Sequence, residues 1–186
     1  MARVAFLAHC LLNQNAKVLG GAKRPAMWEP VVSLLVERGW TIRQMPCPEL
    51  AFGGVRRFWW VREQAETPIF RSHCKRLADT VAATMASHLE AGDDVVLLGV
   101  DSSPTMGIDF QPRSLTWAGE PNVGDPTTDT VPGEGIFLEE LARALGERGL
   151  ELPRRTGIRH WFPDYDPTEE RERILGVLGP DATDVS

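Results

Sequence analysis

Val95-Val96-Leu97-Leu98-Gly99-Val100 is a continuous aliphatic run with Asp93-Asp94 before it and Asp101 after it. A run this short, apolar at successive positions, is the pattern of a strand buried on both faces at the centre of a parallel sheet. It leads directly into Asp101-Ser102-Ser103-Pro104-Thr105-Met106-Gly107. Two further stretches have the same form. Val4-Ala5-Phe6-Leu7-Ala8 ends at His9-Cys10, and Trp40-Thr41-Ile42-Arg43-Gln44-Met45 ends at Pro46-Cys47-Pro48-Glu49. Parallel α/β sheets bind ligands outside the carboxyl ends of their strands, at the point where strand order reverses. The three clusters are therefore expected to converge in space.

The segments between these strands read as helices. Trp28, Val31, Val32, Leu35 and Val36 recur at helical spacing within Pro25 to Arg38, and Gly39 is a fitting stop. Thr67 and Pro68 supply an N-cap and a first helical residue for a helix to about Leu89. Gly133 to Glu147 is amphipathic, Leu152 to Ile158 reads as a fourth strand, and Asp166-Pro167 opens a last helix to Leu178. Leu11 to Arg24 and Phe52 to Glu66 read as loops. Ile108 to Pro132, rich in Pro, Gly, Thr and Asp, has the length of a lid. The alternation predicts an α/β fold, a three-layer Rossmann-like parallel sheet with helices on both faces and right-handed crossovers. Residues 1–186 read as a single domain without repeats or linkers.

Charge and composition narrow the partners. The net charge is −6 and no basic run is present, which argues against nucleic acid and anionic membranes as partners. No apolar segment approaches the length of a membrane span. Three cysteines without close spacing do not form a disulfide framework, and a reducing cytoplasm is the expected compartment. A small-molecule substrate is the expected ligand, and the oligomeric state is not legible.

Chemistry concentrates at the strand ends. A thiol at such a place, near a helix N-terminus, is expected to have a lowered pKa and to serve as nucleophile or metal ligand. Cys10 and Cys47 both fit, although most free cysteines are small buried hydrophobes. Pro46 and Pro48 bracket Cys47 and force an extended presentation. Cys74 sits inside a helix between Phe70 and Leu77, where packing is the better reading. Glu49 is placed to move protons or to cap a helix. The Ser102–Gly107 turn offers hydroxyls and backbone donors to a polar substrate, or is simply a Ser/Pro/Gly loop. His9 and His160 also follow strands, where a lone histidine is more often structural. Phe58-Trp59-Trp60 reads as a wall for a planar ring, or equally as core or a dimer patch.

Ala8-His9-Cys10-Leu11-Leu12-Asn13, Cys47-Pro48-Glu49-Leu50 with Gly53-Gly54, Glu66-Thr67-Pro68-Ile69-Phe70-Arg71 with Cys74, Gly99 to Gly107, and Gly133-Glu134-Gly135-Ile136-Phe137 form an ordered set. In that order they resemble the DUF523 family, whose characterised members are thiouracil desulfidases, and more closely its TudS-like branch. The resemblance covers roughly residues 4 to 160 and rests on the combination. It implies an enzyme that cleaves the C–S bond of a thiocarbonyl in a thiolated nucleobase or small metabolite. In such enzymes three cysteines hold a [4Fe–4S] cluster and leave one iron open to sulfur. By this resemblance Cys10 and Cys47 are cluster ligands, Glu49 is the acid–base residue and Ser103 orients the substrate.

The chain departs from the pattern at one ligand. The family turn reads Ser-Pro-x-Cys-Gly, and here Met106 stands where the third cysteine belongs. A neutral thioether is a poor replacement for a thiolate. Three outcomes stay open: the cluster is lost, Cys74 substitutes as ligand, or a two-cysteine cluster persists weakly with Met106 or an outside ligand. If the cluster is lost, the alternative is a relative that binds a small molecule or hydrolyses one with Cys10, Cys47 and Glu49.

Overall fold

The computed structural model describes residues 1–114 and 129–180. Strand β1 (Arg3–Leu7) leads into a short helix α1 (His9–Leu12) and a 3-10 turn, Gln14–Ala16. Helix α2 (Glu29–Glu37) returns the chain to β2 (Thr41–Gln44). Two short helices follow, α3 (Pro48–Gly53) and α4 (Arg62–Ala65), and then the long α5 (Pro68–Glu90) and β3 (Asp94–Val100). A ribbon of β4 (Phe110–Arg113) and β5 (Asp129–Pro132) precedes α6 (Ile136–Gly146), β6 (Arg154–Ile158) and α7 (Pro167–Leu178).

The main sheet has the order β2-β1-β3-β6, and every pairing in it is parallel. Leu7 stands opposite Gln44 on one side and Leu98 on the other, so β1 and β2 end level and β3 runs on to Val100 at the same edge. Val4 to Leu7 and Val95 to Val100 are buried without alternation, which requires cover on both faces of β1 and β3. The outer strand β2 is mostly exposed and polar, as an edge must be. The chain leaves β1 toward β2, then crosses back over β1 to β3 and onward to β6. Right-handed crossovers therefore put α2 on one face and α5 with α6 on the other. Arg3 in β1 donates to the Arg38 carbonyl just past α2 and to the Leu178 carbonyl ending α7, so α7 shares the face of α2. This is the expected α/β architecture, a parallel sheet with helices on both faces.

Several boundaries differ from expectation for local reasons. The second helix begins at Glu29, not Pro25, because Ala26 takes a left-handed φ of 59° that no helix continues through. Leu11 to Arg24 and Phe52 to Glu66 are not wholly loops: the end of α1, the 3-10 turn, the end of α3 and all of α4 fall within them. Thr67 does cap α5, its hydroxyl accepting from the Phe70 amide at 3.2 Å, and Asp166 caps α7. The expected lid, Ile108 to Pro132, is in part the antiparallel β4–β5 ribbon, and its residues 115–128 lie outside the described residues. No helix among the described residues is long and apolar enough to cross a membrane.

Candidate active site

Strand order reverses between β1 and β3, and a cavity opens at the carboxyl ends of these strands. It encloses about 600 Å³, counted with its solvent-facing mouth. His9 and Cys10 reach it from the end of β1, Cys47 and Glu49 from the end of β2, and Ser102, Ser103 and Met106 from the end of β3. Lys17, Arg57 and the indoles of Trp59, Trp60 and Trp161 complete the wall. Three segments far apart in sequence thus converge because parallel strands end at the same edge.

Glu49 sits in the first turn of α3, buried, with both carboxylate oxygens engaged. Its Oε1 accepts from the Thr105 hydroxyl at 2.8 Å and from the Ser103 hydroxyl at 3.3 Å. Its Oε2 lies 3.5 Å from Nε of the buried Arg57. That Nε forms no hydrogen bond, so the contact is an ion pair without a shared proton. The rest of the guanidinium is fixed by the Gly54 carbonyl at 3.0 Å and the Ala16 carbonyl at 2.9 Å. Ser103 Oγ also accepts from the Met106 and Thr105 amides at 3.1 and 3.3 Å, which directs its proton toward Glu49.

The Ser103–Gly107 turn is held by backbone bonds. The Val100 amide donates to the Met106 carbonyl at 2.9 Å, and the Ile136 amide to the Pro104 carbonyl at 2.9 Å. A Cβ on Gly135 would stand 2.3 Å from the Thr105 carbonyl, so only glycine permits this approach. From below, fully buried Asp101 anchors the loop. Its Oδ1 accepts from the amides of Ile108 and Asp109 at 3.0 Å and of Phe110 at 3.4 Å, and its Oδ2 from Arg159 Nε at 3.0 Å. Ser102, next to it, carries a left-handed φ of 64°, a strained state for a residue other than glycine.

The thiols behave opposite to expectation. Cys47 caps α3, its sulfur accepting from the Leu50 amide at 3.4 Å, yet burial pushes its pKa up to about 12. Burial likewise pushes Cys10 up to about 11, against the opposing pull of Lys17. Loss of solvent outweighs the short helices and the cations, so both are protonated at neutral pH and poorly suited to attack as nucleophiles. Cys74 is fully buried on α5, away from the cavity wall, and is raised to about 12 by burial with Glu140 and Glu49 nearby. It packs as the helical pattern predicts and is not placed to substitute for a third thiolate.

A cluster of the kind implied by the resemblance needs three thiolates. The cavity presents two thiols and the thioether of a nearly fully buried Met106. Among the described residues, no group of three or more Cys, His, Asp and Glu side chains is arranged to hold a metal ion. The donor set therefore does not fit a [4Fe–4S] cluster held by three cysteines.

Sequence reasoning missed the cations and one histidine's task. Lys17 Nζ donates to Gln14 Oε1 at 2.9 Å and to His160 Nε2 at 2.6 Å, a pairing across 143 residues of sequence. His160 stacks on Trp28 at 4.6 Å between centroids, and burial together with Lys17 and Lys23 pushes its pKa down to about 3. Trp59 meets Trp161 edge to face at 5.1 Å, so two of the three residues in Phe58-Trp59-Trp60 line the cavity while Phe58 faces solvent.

No protein-family model matches the chain. A solved structure, a [4Fe-4S]-dependent thiouracil desulfidase, TudS (DUF523Vcz), is similar at a TM-score of 0.46 and 19% identity, over 82% of this chain and 89% of that one. At that level its residue roles do not carry over. The uncharacterized protein MJ0003 of Methanocaldococcus jannaschii is 30% identical over 113 residues, which are 61% of this chain and 72% of that protein. The chain belongs to the family of MJ0003.

Proposed function

We propose that this protein is a desulfidase-like enzyme that hydrolyses the thiocarbonyl of a planar thiolated nucleobase or comparable small metabolite, without a three-thiolate cluster. The observation that carries the reading is the convergence of Cys10, Cys47, Glu49 and Ser103 in one indole-walled cavity at the sheet's switch point. The ordered motifs of the sequence support the same chemistry. Indoles suit a flat ring, and the buried thiols offer soft, weakly hydrated contacts to sulfur.

Glu49 takes a proton from water as the oxygen adds to the thiocarbonyl carbon. The C–S bond then breaks as the carbonyl forms, and the departing sulfur takes both of water's protons, one returned by Glu49 and one given up by the added hydroxyl. Thioamide and water become amide and hydrogen sulfide, with no change of oxidation state and no co-reactant. Ser103 and Thr105 orient the Glu49 carboxylate through the hydroxyl bonds described above. Nucleophilic attack by Cys10 or Cys47 is the weaker reading, because burial keeps both protonated.

The test is sulfide release from 2-thiouracil, 4-thiouracil and aliphatic thioamides, followed with the ring absorbance and with iron measured per chain. Sulfide formed in stoichiometry with the carbonyl product, abolished by Glu49→Gln and independent of iron, is the expected result. Absence of sulfide from every member of the panel would refute the reading.

A further inference from the structure

Lys17 is a buried ammonium without a carboxylate partner among the described residues. Its two side-chain acceptors, the amide oxygen of Gln14 and the imidazole Nε2 of His160, are both neutral groups. An ammonium has three N–H donors, so one is left, and Lys17 is part of the cavity wall. The other charges on that wall do not compensate it. Glu49 is matched by Arg57, whose own Nε has no hydrogen-bond partner. His9 is driven toward its neutral form by burial. Lys23 adds a second cation nearby, stacked over Trp161 at 4.7 Å, while Lys17 approaches the same ring at 4.9 Å.

The cavity wall therefore carries one positive charge in excess, on a residue that is held in place and largely buried. Burying such a charge is costly unless a counter-charge arrives. Gln14 and His160 keep Nζ in position, and Lys17 accepting from Nε2 is impossible, so His160 must carry its proton on Nδ1, an atom with no partner among the described residues. That arrangement orients the lysine at the expense of a buried donor, which is the mark of a site built to present a cation.

We propose that Lys17 is the anion-binding residue of this cavity and that the substrate is a planar ring carrying a negatively charged group, such as a carboxylate, beside its reacting centre. The proposal rests on the functional reading above and names the class of molecule within it. The indoles of Trp59 and Trp161, set at 90° to each other, offer the ring one face contact and one edge contact, and the charged substituent lies at Lys17. The depression of the lysine's pKa to about 8, caused by burial, leaves it charged at neutral pH and agrees with this role.

The test is ligand binding to the full-length protein, read by quenching of tryptophan fluorescence at pH 6.5 and low salt. Orotate, a pyrimidine carboxylate, is compared with uracil, the neutral ring. Wild type is expected to bind orotate at least ~10-fold more tightly, in proportion to a single partly buried charge contact. Lys17→Gln, which keeps a donor but not the charge, is expected to reduce the preference below ~3-fold. Lys17→Arg is expected to retain it, and thermal melting of each variant shows whether it is folded. Equal or undetectable binding of the two rings by wild type, or a preference that survives in a folded Lys17→Gln, would overturn the proposal. Orotate carries no sulfur, so its binding is read apart from sulfide release: a carboxylate preference in wild type with no sulfide from the thiocarbonyl panel refutes the hydrolytic reading alone, and sulfide release by a wild type that shows no preference refutes the anion-binding proposal alone.

Discussion

Replacing Asp101 with alanine is expected to be among the most damaging single changes at the site, although Asp101 does not line the cavity. The carboxylate is fully buried and satisfies four donors, three of them backbone amides of the loop between Gly107 and Gln111. Alanine leaves the buried Ile108 amide without an acceptor, at a cost of about 1–3 kcal/mol. The Asp109 amide and the Arg159 guanidinium are partly solvated and recover water, so each adds about 0.5–1.5 kcal/mol. The Phe110 bond, at 3.4 Å, adds little. Together these come to about 2–6 kcal/mol, in the upper part of the range for a point mutation. For a chain of this length that lowers Tm by about 4–24 °C. Urea unfolding should show a lower midpoint at unchanged slope. Asp101→Asn keeps an oxygen for the amides and loses only the ion pair, so about 1–2 kcal/mol is expected. An Asp101→Ala variant within about 1 kcal/mol of wild type would refute the view that this carboxylate anchors the loop.

Met106→Cys should raise the iron bound per chain after anaerobic reconstitution, with charge-transfer absorption near ~400 nm, because it restores a third thiolate; full loading of the wild type with no gain would show that the donor set had been misjudged. Cys74→Ser should cost about 1–2 kcal/mol through burial of a hydroxyl and leave orotate and thiouracil binding unchanged, as measured by urea unfolding and fluorescence. Glu66 accepts from Arg62 at 2.6 Å and also pairs with Arg71, and the Arg62 bond leads in holding its pKa down to about 2. Because the folded value lies below that of an unfolded glutamate, near ~4.3, its stabilising effect is complete above ~4.3 and is lost as pH falls toward ~2. Melting temperatures between pH 5 and pH 2.5 should therefore drop, and Arg62→Met should flatten the drop; an unchanged pH slope in that variant would refute the assignment.

Central strands were legible because Val4–Leu7 and Val95–Val100 are short runs apolar at consecutive positions that end at polar clusters, the pattern of a strand buried on both faces. The location of the site followed, since strands paired in parallel deliver their ends to one edge. The protonation state of Cys10 and Cys47 was not legible. It depends on how much water reaches each sulfur, and that is decided by side chains such as Trp60 and Met106 brought in from elsewhere. Lys17 was overlooked for the same reason, because its partner His160 is 143 residues away and no local pattern marks the pair. Asp101 read as a strand boundary, when it is the acceptor for a loop that begins after it. Short helices α1, α3 and α4 escaped notice because one turn of helix carries no periodicity, and they form here from tertiary packing.

The turn bearing Met106 is held through its main chain. Carbonyls of Pro104 and Met106 accept from Ile136 and Val100, and Gly135 lies against the Thr105 carbonyl. None of these restraints consults the side chain at position 106. The scaffold therefore separates where a group is displayed from what that group is. A soft anionic ligand, a thioether or an inert hydrocarbon can occupy the same point in space without the loop being rebuilt. One codon then decides whether the loop presents a thiolate or a thioether at that point, while the main-chain hydrogen bonds that hold it stay the same.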